Sequence, residues 1–202
     1  MRLAPAQQFP PSFLPSFRPT FQGHFELSQT SSSSLAWTSY DDQKTWASSK
    51  AGHETKDAIT KFADGPVYED VVVFAEDAGP SIGARVVELV SWIHPTSNID
   101  AEKEKKVASD FTQFQNAIGT EAPESDGGLV AGWGQIKFDH EGVLSRRFTS
   151  LIGWKSVQAH YDCKKTAPFL DNIHWLMDND DAGVEMVHYA YSQSLEGKNS
   201  SI

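Results

Sequence analysis

The sequence predicts an α+β fold built from ferredoxin-like units, with helices packed on an antiparallel sheet. Three observations carry this prediction. Residues 85–192 show the element order β-α-β-β-α-β, which is the order of the split βαβ unit. The strands of this stretch are apolar on both faces, so both faces of the sheet need a cover. A weaker copy of the later part of the pattern lies near the N-terminus.

The strands and helices of the second half follow from local patterns. The first strand is β-branched (RVVELVSW, 85–92), and the helix after it has apolar side chains at helical spacing (100–118). Ser156 opens the second helix, because its hydroxyl can accept a backbone N–H. The remaining strands are LVAGWGQIKF (129–138), FTSLIGW (148–154) and, after Gly183, VEMVHYAY (184–191).

The N-terminal third carries the elements of an incomplete unit. Strands are predicted at 22–29, 35–39 and 67–75, and two helical pieces, interrupted at Gly52, lie between the second and the third. Residues 35–46 align with residues 152–163, so that Trp37 matches Trp154, Ser39 matches Ser156 and Trp46 falls on Cys163. The leading strand and helix of the unit are missing, and five prolines in residues 1–20 exclude a helix there.

These elements divide the chain into five parts. We expect a disordered or extended Pro/Phe-rich arm (1–20), a truncated ferredoxin-like half (21–76), a linker (77–84), a complete ferredoxin-like half (85–192) and a disordered tail (193–202). Packed face to face, the two halves would form a dimeric α+β barrel as an intramolecular pseudo-dimer. The alternative is one unit that forms a homodimer and carries an N-terminal decoration.

Composition excludes several classes of function. The formal net charge of −10 opposes binding to nucleic acid and to an anionic membrane surface. The single cysteine, Cys163, permits no intramolecular disulfide, and no Cys/His zinc pattern is present. We therefore expect a reducing, cytoplasmic location and no metal site. No apolar run approaches the roughly 20 residues that a membrane helix needs.

The stretch GWKSVQAH (153–160), followed by TAPF (166–169) and the GVEMVH strand, resembles the antibiotic-biosynthesis-monooxygenase-like (ABM) family of dimeric α+β barrels. The tandem fungal members are the most similar. The resemblance covers 85–192 well and 21–75 weakly. It implies a cofactor-independent monooxygenase acting on a phenolic or polycyclic aromatic substrate. A haem-degrading relative would carry Trp where Cys163 stands, which argues against haem.

The same barrel also resembles stress-responsive proteins without assigned chemistry. A non-catalytic stress-responsive or ligand-binding α+β barrel is therefore the alternative function. In either case the resemblance implies a small hydrophobic aromatic ligand.

Cofactor-free oxygenation needs a base that removes a proton from the substrate and a site that excludes bulk water. Glu88 shares one face of its strand with Val90 and Trp92, and His188 lies on the strand that a ferredoxin-like sheet places beside it. We predict Glu88 and His188 as the catalytic pair, on the sheet face opposite the second helix. A buried structural pair is the alternative.

Four further residues are predicted to contact the substrate. Gly132 and Gly134 flank an aromatic residue, and glycines in a strand allow the close approach of a flat ligand. The other candidates lie on the first strand and in the GWKSVQAH motif. The predicted substrate-binding residues are Trp92, Trp133, Trp154 and His160. The alternative is packing in the core for Trp133 and Trp154, and an inward-facing, hydrogen-bonded side chain for His160.

Overall fold

The structure is a computed structural model that describes residues 19–25, 31–35, 37, 39–62, 69–119, 125–178 and 183–193. Almost all of the predicted arm (1–20) and of the predicted tail (193–202) lies outside these residues, the exceptions being Pro19, Thr20 and Gln193. The chain divides into two compact units. The first contains the helices within 39–62. The second contains 69–119, 125–178 and nearly all of 183–193, and each unit is treated separately below.

The first unit contains two helices, α1 (Tyr40–Ala47) and α2 (Lys50–Phe62). The helix break falls at Ser48 and Ser49, and Gly52 lies inside α2, so the predicted interruption at Gly52 is wrong. Glycine is required there for another reason, because a Cβ would collide with the backbone oxygen of Trp46. Trp46 also packs against Trp37, with ring centroids 5.0 Å apart.

The other described elements are eight strands, five helices and one 3-10 turn. None of the helices described in the structure combines the length and the apolarity needed to cross a bilayer. The strands are β1 (Pro19–Phe25), β2 (Ser31–Leu35), β3 (Val72–Phe74), β4 (Val86–Pro95), β5 (Ser125–Gly134), β6 (Phe138–His140), β7 (Val143–Trp154) and β8 (Gly183–Gln193). The helices are α3 (Gly79–Ile82), α4 (Ala101–Gly119), α5 (Val157–Cys163), α6 (Ala167–Asn172) and α7 (His174–Met177), with a 3-10 turn at Thr96–Asn98.

The strand order of the sheet is β2-β1-β8-β4-β7-β5-β3, and the short β6 pairs with β7. Within it, β8, β4, β7 and β5 are the fourth, first, third and second strands of a βαββαβ unit, the ferredoxin-like arrangement. β4 is central and runs antiparallel to both β7 and β8. The predicted α+β class and ferredoxin-like unit are thereby confirmed.

One face of the sheet carries α4, α5, α6 and α7 and the main hydrophobic core. Register places Val86, Glu88, Val90 and Trp92 of β4 on this face, opposite the even-numbered residues of β7 and β8. Burying an aliphatic or aromatic side chain fully contributes about 1.5–3 kcal/mol. The helices and β7 supply most of the other core side chains, namely Val107, Phe111, Phe114, Ile118, Phe148, Ile152, Trp154, Ala159, Cys163 and Leu176.

The opposite face of β4 is buried as well. Val87 and Ile93 are each only 1% exposed. Ser91 on the same face forms a 2.9 Å hydrogen bond with Thr149 of β7, which satisfies both buried hydroxyls. A strand buried on both faces explains why the sequence of β4 does not alternate between polar and apolar residues.

Candidate functional site

Glu88 is the acidic residue at the centre of the sheet. It lies on the helix-covered face of β4 and is 4% exposed. Its register partner on β8 is His188, and its partner on β7 is Ile152. The predicted pairing of Glu88 with His188 across the two strands is therefore present.

The third member of the site comes from α5. Ser156 caps this helix, because its Oγ accepts the backbone N–H of Ala159 at 3.0 Å. The cap starts the helix directly after β7, and its inner face then consists of Ala159, His160 and Cys163. His160 is 3% exposed and points at the sheet above Glu88.

Hydrogen bonds connect these side chains. The indole Nε1 of Trp154 donates to Glu88 Oε2 at 2.8 Å. His160 Nε2 lies 3.6 Å from the same oxygen, and His160 Nδ1 lies 2.8 Å from Nε2 of His188. One imidazole must donate and the other accept in this last contact. We refer to Glu88, His160 and His188 as the polar cluster.

Burial shifts the protonation of the cluster. It raises the pKa of Glu88 to about 7, although the hydrogen bond from Trp154 acts in the opposite direction. Burial, with His188 and Lys164 adding to it, lowers the pKa of His160 to about 4. The 3.6 Å approach of His160 to Glu88 therefore joins an uncharged imidazole to a carboxyl group near half protonation at pH 7, and it is not a full ion pair.

The cluster also has the donor set of a metal site. Each of its three residues offers one ligand atom, and these atoms all lie within 4.8 Å of one another. Two imidazole nitrogens and one carboxylate oxygen suit transition metals better than Mg²⁺ or Ca²⁺. No metal was predicted from the sequence, because the three ligands come from separate segments (β4, α5 and β8) and form no closely spaced motif.

His188 stands at the rim of the cluster, beside exposed apolar side chains. Val184 and Met186 share its face of β8 and are 41% and 39% exposed. The ring of Tyr161 lies 6.1 Å from the His188 ring and is 40% exposed. We call Val184, Met186 and Tyr161 the apolar strip, and it gives an aromatic molecule a surface next to His188.

The predicted face of the site is wrong. Glu88 and His188 contact the side chains of β7 and α5, so they lie between the sheet and the second helix and not on the opposite face. Both faces of β4 are apolar, and the strand pattern alone therefore does not tell which face the helices cover.

The predicted substrate-binding residues lie in two different places. His160 is a member of the polar cluster, and Trp154 contacts the cluster through its hydrogen bond to Glu88. The rings of Trp154 and His160 stack with centroids 5.2 Å apart. Trp92 and Trp133 lie in the aromatic packing around Phe148, at centroid distances of 6.2 and 5.3 Å.

The glycines beside Trp133 allow close packing within the sheet. A Cβ on Gly132 would collide with the carbonyl oxygen of Val73, and a Cβ on Gly134 would collide with the carboxyl group of Asp70. The two glycines therefore allow the segment around β3 to lie close to β5. The space beside them is filled by protein atoms and not by a flat ligand.

The described residues also enclose a small cavity near Trp92. Its volume is about 10 Å³, which is space for one water molecule. An aromatic ligand does not fit there. Its lining does not include any member of the polar cluster and consists of Trp92, His94, Val107, Phe111, Phe148, Trp175 and Leu176.

The connecting role of His160 was not predicted from the sequence. This residue was predicted to contact the substrate, whereas in the structure it lies between Glu88 and His188. The available signal was the spacing of Ala159, His160 and Cys163, which puts the histidine on the apolar, buried face of a short helix.

No model of a protein family matches this chain, and no curated protein matches it either. Solved structures do match. An anthrone oxidase-like protein aligns over 92% of this chain and 82% of its own, at a TM-score of 0.59 and 12% sequence identity.

Two structures of proposed bacterial monooxygenases also align with 87% of this chain. The protein from Lactobacillus acidophilus NCFM has a TM-score of 0.49, 8% identity and 77% of its own length covered. The protein from Fusobacterium nucleatum has a TM-score of 0.49, 14% identity and 78% of its own length covered. At such low identities the anthrone oxidase-like structure supports the fold alone, and the two bacterial structures add no further argument.

Proposed function

We propose that the chain binds a phenolic or polycyclic aromatic molecule on the apolar strip and oxygenates it with O₂, without a prosthetic group. The observation that carries this proposal is the position of His188, at the point where the buried polar cluster meets exposed apolar side chains. Buried ionisable groups of this kind concentrate at functional sites. The fold and the ABM-like resemblance agree with the same activity.

The chemistry assigns a separate task to each residue. His188 accepts a proton from an activated C–H or O–H group of the substrate, and its 2.8 Å hydrogen bond spreads the charge to His160. The deprotonated substrate supplies the electrons that reduce O₂. In the oxidation of a CH₂ group to a carbonyl, one oxygen atom enters the product and the other leaves as water, so no external reductant is consumed.

Glu88 lies at the inner end of the polar cluster, beyond His160. Its Oε2 is fixed by Trp154 and faces His160 at 3.6 Å. We propose that Glu88 and His188 act as the catalytic pair with His160 between them. Trp154 then orients Glu88, and Trp92 and Trp133 support the sheet away from the substrate.

The alternative is a non-catalytic barrel that binds the ligand or responds to stress. The filled aromatic core around Trp92 favours this alternative, because the cavity of about 10 Å³ there leaves no room for a substrate. Under both functions the ligand is small, hydrophobic and aromatic. We further propose that the chain forms a tandem barrel of the fungal type and that it lies in the cytoplasm. The barrel forms within one chain or in a homodimer.

Oxygen uptake by the full chain tests the proposal. Anthrones and hydroquinones are supplied as a panel in buffer treated with a chelator, and O₂ consumption is followed together with product absorbance. Uptake that depends on protein concentration and disappears in His188→Gln supports the oxygenase. Saturable ligand binding without uptake across the panel favours the non-catalytic barrel.

A further inference from the structure

The polar cluster is buried between the sheet and α5. Glu88, His160 and His188 are 4%, 3% and 9% exposed. The two imidazoles face each other, with His160 Nδ1 and His188 Nε2 2.8 Å apart. Imidazole nitrogens and a carboxylate oxygen that converge in this way are a donor set that suits a transition metal.

Among the described residues, no Lys or Arg side chain forms an ion pair with Glu88. Its carboxyl group accepts a hydrogen bond from Trp154 at 2.8 Å and lies 3.6 Å from Nε2 of His160. Lys164 acts on it only through the longer-range Coulomb interaction. A buried carboxylate requires a nearby positive charge or must take up a proton. A divalent cation between the three side chains would supply that charge.

We propose that Glu88, His160 and His188 bind a divalent transition-metal ion, such as Zn²⁺, Co²⁺ or Fe²⁺, through two imidazole nitrogens and one carboxylate oxygen. Ligands bound to one such ion at about 2.1 Å lie roughly 3–4 Å apart. The three ligand atoms already lie within 4.8 Å of one another, so side-chain movements of about 1 Å complete the site.

The surroundings are those of an open metal site. Trp154 donates to Glu88 Oε2 at 2.8 Å and so orients the carboxylate, as outer-shell donors do in metalloproteins. Three protein ligands leave at least one coordination position, which is typical of catalytic and not of structural zinc sites. His188 adjoins the exposed apolar strip, since the ring of Tyr161 lies 6.1 Å from its own ring.

Metal binding is a property separate from the proposed oxygenase activity. While the ion is bound, it prevents the oxygenase mechanism. Metal coordination and proton acceptance use the same imidazole lone pairs, so the loaded chain has no base at His188. Metal binding is measured without substrate. If no metal binds, the oxygenase proposal is therefore unaffected. If no oxygen uptake is found, the metal proposal is unaffected.

The test is titration of the untagged full chain, stripped with a chelator, with Co²⁺ and then with Zn²⁺. We expect one ion per chain with micromolar or tighter affinity. Co²⁺ absorption should report nitrogen and oxygen ligands. Glu88→Gln, His160→Gln and His188→Gln should each weaken binding by about 100-fold or more, and Trp154→Phe by about 10-fold, because it removes an outer-shell donor.

Two matched controls remove exposed histidines outside the cluster. His53→Gln and His174→Gln should bind Co²⁺ like the wild-type chain. Thermal unfolding and near-ultraviolet circular dichroism verify that every variant is folded. X-ray absorption of the wild-type zinc complex does not depend on any variant, and it should show imidazole scattering and no sulfur.

Three results would overturn the proposal. One is the lack of saturable binding by the wild-type chain. Another is equal affinity in the cluster variants and the wild-type chain. The third is a sulfur ligand in the X-ray absorption spectrum, which would move the ion to Cys163, the only cysteine of the chain.

Discussion

The helix-covered face of the sheet has two ends that use the same strands in different ways. Around Trp92, the rings of Phe111 and Phe148 pack edge to face or tilted, at centroid distances of 5.8 to 6.3 Å. On the same face of β4, Val90 lies two residues before Trp92. Glu88, a member of the polar cluster, lies four residues before it. We call the ring packing around Trp92 the aromatic end.

We propose that the aromatic end serves stability and that the polar cluster serves chemistry. The aromatic end buries large rings at nearly full packing, which is the main source of folding free energy. The polar cluster buries a carboxyl group and two imidazoles, which adds less stability than apolar residues of similar size would. Natural proteins keep such locally unfavourable groups mainly at functional sites.

The largest expected effect is on turnover. His188→Gln should lower the rate of oxygen uptake by roughly 10²- to 10⁴-fold, because it removes the group that accepts the proton. Initial rates at saturating substrate in chelator-treated buffer measure the change. His174→Gln, an exposed histidine on α7, is the matched control and should keep the wild-type rate. Equal rates in both variants would remove His188 from the mechanism.

The next effect concerns the aromatic end. Phe148→Ala should lower the free energy of unfolding by about 3–5 kcal/mol, since it leaves a cavity between Trp92, Phe111 and Trp133. Urea unfolding followed by tryptophan fluorescence measures the loss. A change below about 1 kcal/mol would mean that this end is not the rigid core we describe.

A matched pair of tryptophans compares the two ends directly. Trp154 Nε1 donates to Glu88, whereas Trp92 Nε1 is buried without a hydrogen-bond partner among the described residues. Trp154→Phe leaves a buried acceptor unsatisfied and should cost about 1–3 kcal/mol more than Trp92→Phe. Urea unfolding of both variants gives the difference, and equal losses would contradict the assigned hydrogen bond.

The smallest stability effect belongs to the apolar strip. Met186→Ser should change the free energy of unfolding by less than about 0.5 kcal/mol, because the side chain is exposed, and it should raise KM several-fold by removing apolar contact with the substrate. Leu170→Ser, at an exposed position on α6, is the control. A KM that changes equally in both variants would place the substrate elsewhere.

Much of the fold could be predicted from the sequence because it depends on local patterns. Ser156 and Gly183 mark the start of the second helix and the start of the last strand, and both are where they were expected. The antiparallel order of the unit then fixed Glu88 opposite His188. Period-two alternation also grouped Glu88 correctly with Val90 and Trp92.

The site itself required the structure. The alternation in β4 groups residues by face and carries no information on which face the helices cover. The meeting of His160 with His188 spans 28 residues and depends on how α5 docks on the sheet. Gly132 and Gly134 suggested room for a ligand, whereas the space is taken by β3 and Asp70. Such contacts between distant segments leave no periodic signal in the chain.

The central claim is that the polar cluster is kept for function and not for stability. The triple variant Glu88→Gln, His160→Leu, His188→Leu tests it, because Gln keeps an acceptor for Trp154 and Leu fills the space of each imidazole. Urea unfolding should give a free energy equal to or higher than that of the wild-type chain, since well-packed apolar residues replace buried polar groups at no net cost. A loss of more than about 2 kcal/mol would contradict the account and make the cluster part of the structural core.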